Sequence, residues 1–142
     1  MEDTISKEVT KYYAKAFGIG PRETKTYIID DMIVVRLKSK LSPMEEMLLL
    51  GSRGVALVKD IRSTIHEITI EGMNTLIKNV TDHEVISTHS DISTKSGEIV
   101  QIFIVSSNYE EELKKQSVGW LPKLFNLIRG NMLRNKLSII DQ

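Results

Sequence analysis

The run Thr26-Tyr-Ile-Ile-Asp-Asp-Met-Ile-Val-Val-Arg-Leu37 decides the fold class. It holds two segments rich in β-branched residues, 26–29 and 32–37, with only Asp30-Asp31 between them. A two-residue link between such segments predicts a β-hairpin. A second hairpin is expected over residues 83–92 and 98–105, across a loop whose Ser96-Gly97 supplies turn chemistry. Its second strand, Ile99-Val-Gln-Ile-Phe-Ile-Val105, is apolar on both faces, which predicts a central strand covered on both sides.

Helical patterns surround these ribbons. Upstream, Asp3 or Thr4 is placed to cap a helix that carries Ile5, Val9, Tyr12, Tyr13 and Ala16 on one stripe and ends at Gly18-Ile-Gly-Pro21. Between the hairpins, Ser42-Pro43-Met44-Glu45 reads as a capping box with proline at the first helical position, starting a short helix to Leu50. After the break at Gly51-Ser-Arg-Gly54, residues Val58, Ile61, Ile65, Ile68, Met73, Leu76 and Ile77 predict a rod to about residue 79, ~37 Å long, locally weakened by Gly72. Asn108 and Glu111 open another helix, interrupted at Gly119 and Pro122. The order is helix, hairpin, helix, helix, hairpin, helix. It implies an α+β fold with a mostly antiparallel four-stranded sheet packed against the long helix.

Composition bounds the chemistry. The 142 residues include 19 basic and 19 acidic side chains, 41% apolar and 27% charged residues, the proportions of an ordinary globular chain. Cysteine is absent, which excludes disulfides, thiolate catalysis, cysteine zinc sites and iron–sulfur clusters. No apolar run exceeds four residues, against the ~20 that span a bilayer. Met1-Glu2-Asp3 leads into no apolar core, so a secretory signal is not expected and the cytoplasm is the default location. Neutrality hides an asymmetry: residues 113–142 hold six cations and one anion, net +5, leaving −5 for the rest. Trp120, Leu121 and Phe125 lie on the apolar stripe of this basic segment, with cations such as Arg129 around it. That pattern fits a helix packed in cis, docked across a homodimer or on a partner, or resting on an anionic membrane surface.

Several polar residues are candidates for chemistry. His89-Ser90-Asp91 holds the residue types of a hydrolase triad, but alternation along a strand turns Ser90 away from the other two. His89 and Asp91 share a face, so an Asp-oriented imidazole is geometrically open, while Asp91 reads equally as a turn carboxylate accepting backbone hydrogen bonds. His83 lies ~20 Å away along the strand, too far to share a metal ion, and His66 would have to be brought in by folding. Convergence of His66, His89 and Asp91 on an enclosed polar cavity would favour chemistry over recognition. Leu50-Gly-Ser-Arg-Gly-Val-Ala-Leu57 looks like the GxxG loop of KH domains, with Arg53 meeting a nucleic-acid phosphate, yet residues 1–112 are acidic where such a binder should be basic. Arg36 and Arg62 sit in apolar surroundings and are expected to pair with carboxylates or to join Arg22 in an anion site. No nucleophile, metal set or cofactor loop stands out.

Gly18-Ile-Gly-Pro21, the first hairpin, Leu41-Ser-Pro-Met-Glu45, Arg62 and His89-Ser-Asp-Ile-Ser-Thr94 with Gly97-Glu98 together resemble the bacterial MpsC-type family over roughly residues 4–106. The resemblance implies a small protein tied to a membrane-potential-generating system whose other components resemble ion-transport subunits linked to inorganic carbon uptake. It carries no catalytic residues and no cofactor. Residues 1–107 are therefore read as an MpsC-like α+β domain and 108–142 as an amphipathic helical extension. The function expected is a non-enzymatic accessory or interaction module. A homodimer is expected because the rod outruns a body of ~14.5 Å radius of gyration. The expected partner is a protein of the membrane system, with peripheral membrane contact through the last helix, and nucleic acid is disfavoured. The alternative is a small-anion or KH-like module built on residues 51–54.

Overall fold

The computed structural model describes residues 1–119 and 121–140. Nine elements follow one another: α1 (Glu2–Phe17), β1 (Glu23–Ile29), β2 (Met32–Lys38), α2 (Pro43–Leu48), α3 (Gly54–Thr81), β3 (Val85–Ile92), β4 (Ile99–Val105), α4 (Tyr109–Gly119) and α5 (Leu121–Ile140). Both hairpins form, and Asp30 takes the left-handed conformation, φ 53°, that the two-residue turn requires. The strands make one antiparallel sheet in the order β1-β2-β4-β3. The fold is α+β, as the hairpin pattern implied.

Register divides the sheet into two faces. Thr26 and Ile28, then Ile33, Val35 and Leu37, then Gln101, Phe103 and Val105 point to the inner face, where all eight are buried. Helix α1 lies over β1 through Ser6–Thr26 and Thr10–Thr24 hydroxyl pairs at 2.8 and 2.7 Å, and the Glu2 carboxylate accepts the Ile28 amide at 2.8 Å. Helix α3 reaches the same face, Asn74 to Thr88 at 2.9 Å and His66 to Gln101 at 3.2 Å. Ile5, Val9, Val58, Met73 and Ile77 complete the core between the helices and the strands. At that helix–helix contact Tyr12 donates to the Thr69 carbonyl at 3.1 Å, and a Cβ on Gly72 would stand 2.3 Å from the Tyr12 hydroxyl. Gly72 is room for a tyrosine.

Three expectations need correction. Helix α1 begins at Glu2 with Met1 as its cap residue, so neither Asp3 nor Thr4 caps it; both lie inside the first turn, where Asp3 still faces the positive end of the helix dipole. Helix α3 does not bury a single stripe: Ile61 and Ile68 are exposed, because only the side carrying Val58, Met73 and Ile77 meets the sheet. Finally, β4 is central, and within residues 1–109 the helices α1 and α3 cover its inner side only. On its outer side Val100, Ile102 and Ile104 are half-buried, and both packing helices lie on the inner face.

Residues Met1–Tyr109 form one compact unit and Glu110–Gln142 a second. Within the second, Lys114–Glu110 and Lys115–Glu111 pairs at 2.5 and 3.0 Å bridge successive turns of α4. Leu121, Leu124, Phe125, Ile128 and Met132 of α5 recur at helical spacing and are exposed, with Phe125 at 71%. Lys123 and Arg134 lie on the opposite side of the helix. Trp120 lies outside the described residues. Among the described residues no helix is long and apolar enough to cross a membrane.

Candidate functional site

Beyond the end of α1 the inner face of the sheet is no longer roofed by two helices. The segment 20–22, the link 39–43 and the first half of α3 enclose a cavity of about 840 Å³ there. Its walls are apolar, with Phe17 and Pro21 on one side, Leu37, Ile92 and Ile99 from the sheet, and Leu41 and Ile65 closing it. A polar cluster sits inside. Gln101 is 1% exposed, its amide nitrogen donating to His66 Nδ1 at 3.2 Å, which leaves the proton of a neutral imidazole on Nε2. Its Oε1 is a buried acceptor without a partner. Burial holds His66 below its ordinary pKa and pushes the Tyr13 phenol up to about 12.

The cavity's lower wall is an ion-pair knot. The Arg62 guanidinium donates to both Glu45 oxygens, Nε to Oε1 at 2.5 Å and Nη2 to Oε2 at 2.8 Å. Both side chains are largely buried, at 17% and 10% exposure. Glu45 is also the third residue of the capping box: its Oε2 accepts the Ser42 amide at 2.7 Å while Ser42 Oγ accepts the Glu45 amide at 3.2 Å. The charged hydrogen bonds from Arg62 outweigh burial and hold the Glu45 carboxyl at about 2. One carboxylate thus starts α2, fixes α2 against α3 and neutralises an arginine under the cavity. At the rim Lys59 approaches Asp91 at 3.7 Å, and Arg22, Lys40 and Asp60 complete the charged lining. The cavity lining therefore carries four arginines and lysines against three carboxylates.

The residues singled out from sequence separate. Arg62 and Asp91 line the cavity, and Arg22 and His66 join them. His89 does not, because pairing with Ile102 puts it on the outer face, so His66, His89 and Asp91 do not converge. Asp91 accepts the Ile92 amide at 2.8 Å, the turn role of a carboxylate at a strand end. Arg36 is on the outer face, paired with Glu98, whose carboxyl it holds below the usual range. Arg53 is the cap residue of α3 and stands away from the cavity. The glycine beside it has a packing cause: a Cβ on Gly54 would lie 1.8 Å from the Leu48 carbonyl oxygen, so the turn between α2 and α3 closes only on glycine. Among the described residues no three His, Asp or Glu side chains group as metal ligands.

Tyr13, Glu45 and Gln101 line the cavity although sequence reasoning did not single them out as site candidates. Only Gln101 left a local signal, a lone amide in a seven-residue apolar strand, where burial obliges it to find a partner.

Comparison with known proteins gives a consistent result. The family model described as "Na+-translocating membrane potential-generating system (MpsC)" matches residues 1–107. An uncharacterized protein of Bacillus subtilis (strain 168), YbcI, is 36% identical over 115 residues, covering 81% of this chain and 93% of the relative. No solved structure matches significantly.

Proposed function

The chain belongs to the MpsC family, and from that premise we propose that it is a non-enzymatic accessory module of a Na+-translocating, membrane-potential-generating system, working in the cytoplasm as a homodimer. The observation that carries this reading is the outer face of the sheet. Register sets its side chains in rows: Ile29, Met32, Ile104 and Ser87; then Tyr27, Val34, Ile102 and His89; then Lys25, Arg36 and Val100, with Asp91 at the end of the row turned to Lys59. The first two rows are apolar but for Ser87 and His89 on the edge strand β3, and Tyr27 and Ile29 are 43% and 46% exposed. A contiguous apolar surface of this kind marks an interaction site. The third row carries Lys25 and Arg36, paired with Glu23 and Glu98. An apolar centre with a mixed-charge edge is complementary to itself under a two-fold axis, which favours a second copy of the chain as occupant. The exposed apolar stripe of α5, with Lys123 and Arg134 on the opposite side of the helix, supplies a further surface for a partner protein of the membrane system or for anionic lipid headgroups.

Sedimentation equilibrium tests the dimer. The wild type should have twice the chain mass at micromolar concentration and Ile102→Lys the mass of one chain, with unchanged circular dichroism. A wild type of single-chain mass, or an Ile102→Lys variant that still dimerises, contradicts the proposal. The accessory role is tested by the Na+-dependent membrane potential of the native cell. Loss of the chain should depress that potential and reintroduced wild type restore it, whereas an unchanged potential would rule the role out.

A further inference from the structure

We infer that the cavity under the first half of α3 binds a small amphipathic organic anion, with its apolar body between α3 and the sheet, a hydrogen-bond donor turned inward to Gln101 and its acidic group at the mouth beside Lys40 and Arg22. Each part of that description comes from a different feature. The volume, about 840 Å³, lies within the range of small-molecule sites, and the walls are aliphatic and aromatic. The inner end presents an acceptor: Gln101 Oε1 is buried and without a partner, while the amide nitrogen is engaged by His66. A buried acceptor left unmade costs about 1–3 kcal/mol, so the site selects a ligand that brings an N–H or O–H to that point.

The charge assigns the outer end. Arg62 is held by Glu45, and Lys59 faces Asp91, so these two cations have their counter-charges within the wall. Lys40 and Arg22 are exposed at the mouth, and the lining as a whole carries one cation more than it has carboxylates. The mouth therefore attracts an acidic group, while the neutral interior excludes one, since a bare anion among Leu37, Ile65 and Ile99 would lose its hydration without a partner. The ion-pair knot gives the site rigidity: Arg62 and Glu45 tie α2 to α3, so the wall does not have to order on binding.

A probe with these three features is 8-anilinonaphthalene-1-sulfonate, which has an aromatic body, one N–H and one sulfonate. N-phenyl-1-naphthylamine keeps the body and the N–H but lacks the charge. Titrated into the full chain, the sulfonate should bind saturably with one site per chain, and the neutral probe several-fold more weakly. Ile65→Trp fills the cavity and should weaken the sulfonate at least tenfold. Gln101→Leu should weaken both probes about threefold to tenfold, the range of one lost hydrogen bond. Lys40→Glu, a surface change that leaves the core untouched, should weaken the sulfonate alone and erase the difference between the two probes. Ile102→Lys, on the outer face, should change neither. The inference is overturned if the wild type shows no one-site binding, if Gln101→Leu and Lys40→Glu both bind like wild type, or if Ile102→Lys is the variant that loses the probe. Because the Ile102→Lys arm reads the dimer surface and the other arms read the cavity, failure of the ligand site is distinguishable from failure of the dimer proposal.

Discussion

The two faces of the sheet are built from the same kinds of residue and meet different fates. On β4, Phe103 on the inner side is fully buried, while its neighbours Ile102 and Ile104 on the outer side are only half-buried. The inner face spends its apolar residues on packing against α1 and α3 and tolerates one polar island, Gln101, where the roof opens into a cavity. On the outer face the polar residues of the first two rows, Ser87 and His89, are confined to the edge strand β3, and charge begins at the third row. A strand apolar on both sides thus declares that both faces avoid water, and leaves open whether the second cover is the same chain or another molecule.

Breaking the inner face should cost most. Phe103→Ala removes a fully buried ring and is expected to lower unfolding free energy by about 3–5 kcal/mol in urea denaturation. Ile102→Ala, one residue away on the outer face, should cost the folded monomer about 1 kcal/mol or less. Equal costs would mean that the two faces are equally covered within one chain. Next comes the knot under the cavity. Glu45→Gln leaves Arg62, 17% exposed, without its carboxylate and should cost about 2–4 kcal/mol.

The same knot gives the protein an acid dependence. With its carboxyl lowered from 4.5 to about 2 in the folded state, Glu45 contributes roughly 3 kcal/mol of stability above pH ~4.5, lost as the pH falls towards 2. Glu45→Gln should flatten that part of the profile. His66 acts at higher pH: buried and held neutral, it takes up a proton more readily unfolded than folded, so stability should begin to fall once the pH drops below about 6.5. His66→Gln should remove that early decline, a smaller change than the Glu45 step. The smallest effect is expected at Gly72→Ala, where about 1 kcal/mol of helix propensity opposes the loss of the Tyr12 bond to Thr69. In a Tyr12→Phe background, which removes the hydroxyl but keeps the ring carbons Cε2 and Cζ 3.0 Å from the added Cβ, the same substitution should be less destabilising than in the wild type. Thermal unfolding of the four combinations checks it.

Most of the architecture was legible in the residues, and the cavity was not. The hairpins could be read because β-branched runs flank a two-residue link, and α2 because a capping box is a local signal whose two hydrogen bonds both form. The inner and outer sides of α3 were not separable. Ile61 and Ile65 are near neighbours on a helical wheel, and only the sheet's position decides which of them lies over the strands. The start of α1 was shifted because a terminal Met1 can occupy the cap position without any side-chain bond. The site escaped for a different reason. Tyr13, Glu45, His66 and Gln101 come from four elements, and none has a partner within its own segment that would reveal a shared role, apart from Glu45, whose bond to Ser42 disguises its pairing with Arg62. His89 misled because residue type alone suggested chemistry, while strand alternation put it on the wrong face.

Whether the outer face is where two copies meet can be read directly by isotope-filtered NMR on a mixture of labelled and unlabelled chains. Intermolecular cross-relaxation should connect the methyl groups of Val34, Ile102 and Ile104 with one another and with the Tyr27 ring. Intermolecular signals confined to Leu57, Ile61 and Ile68 of α3 or to α5, or no intermolecular signals at all, would contradict the account.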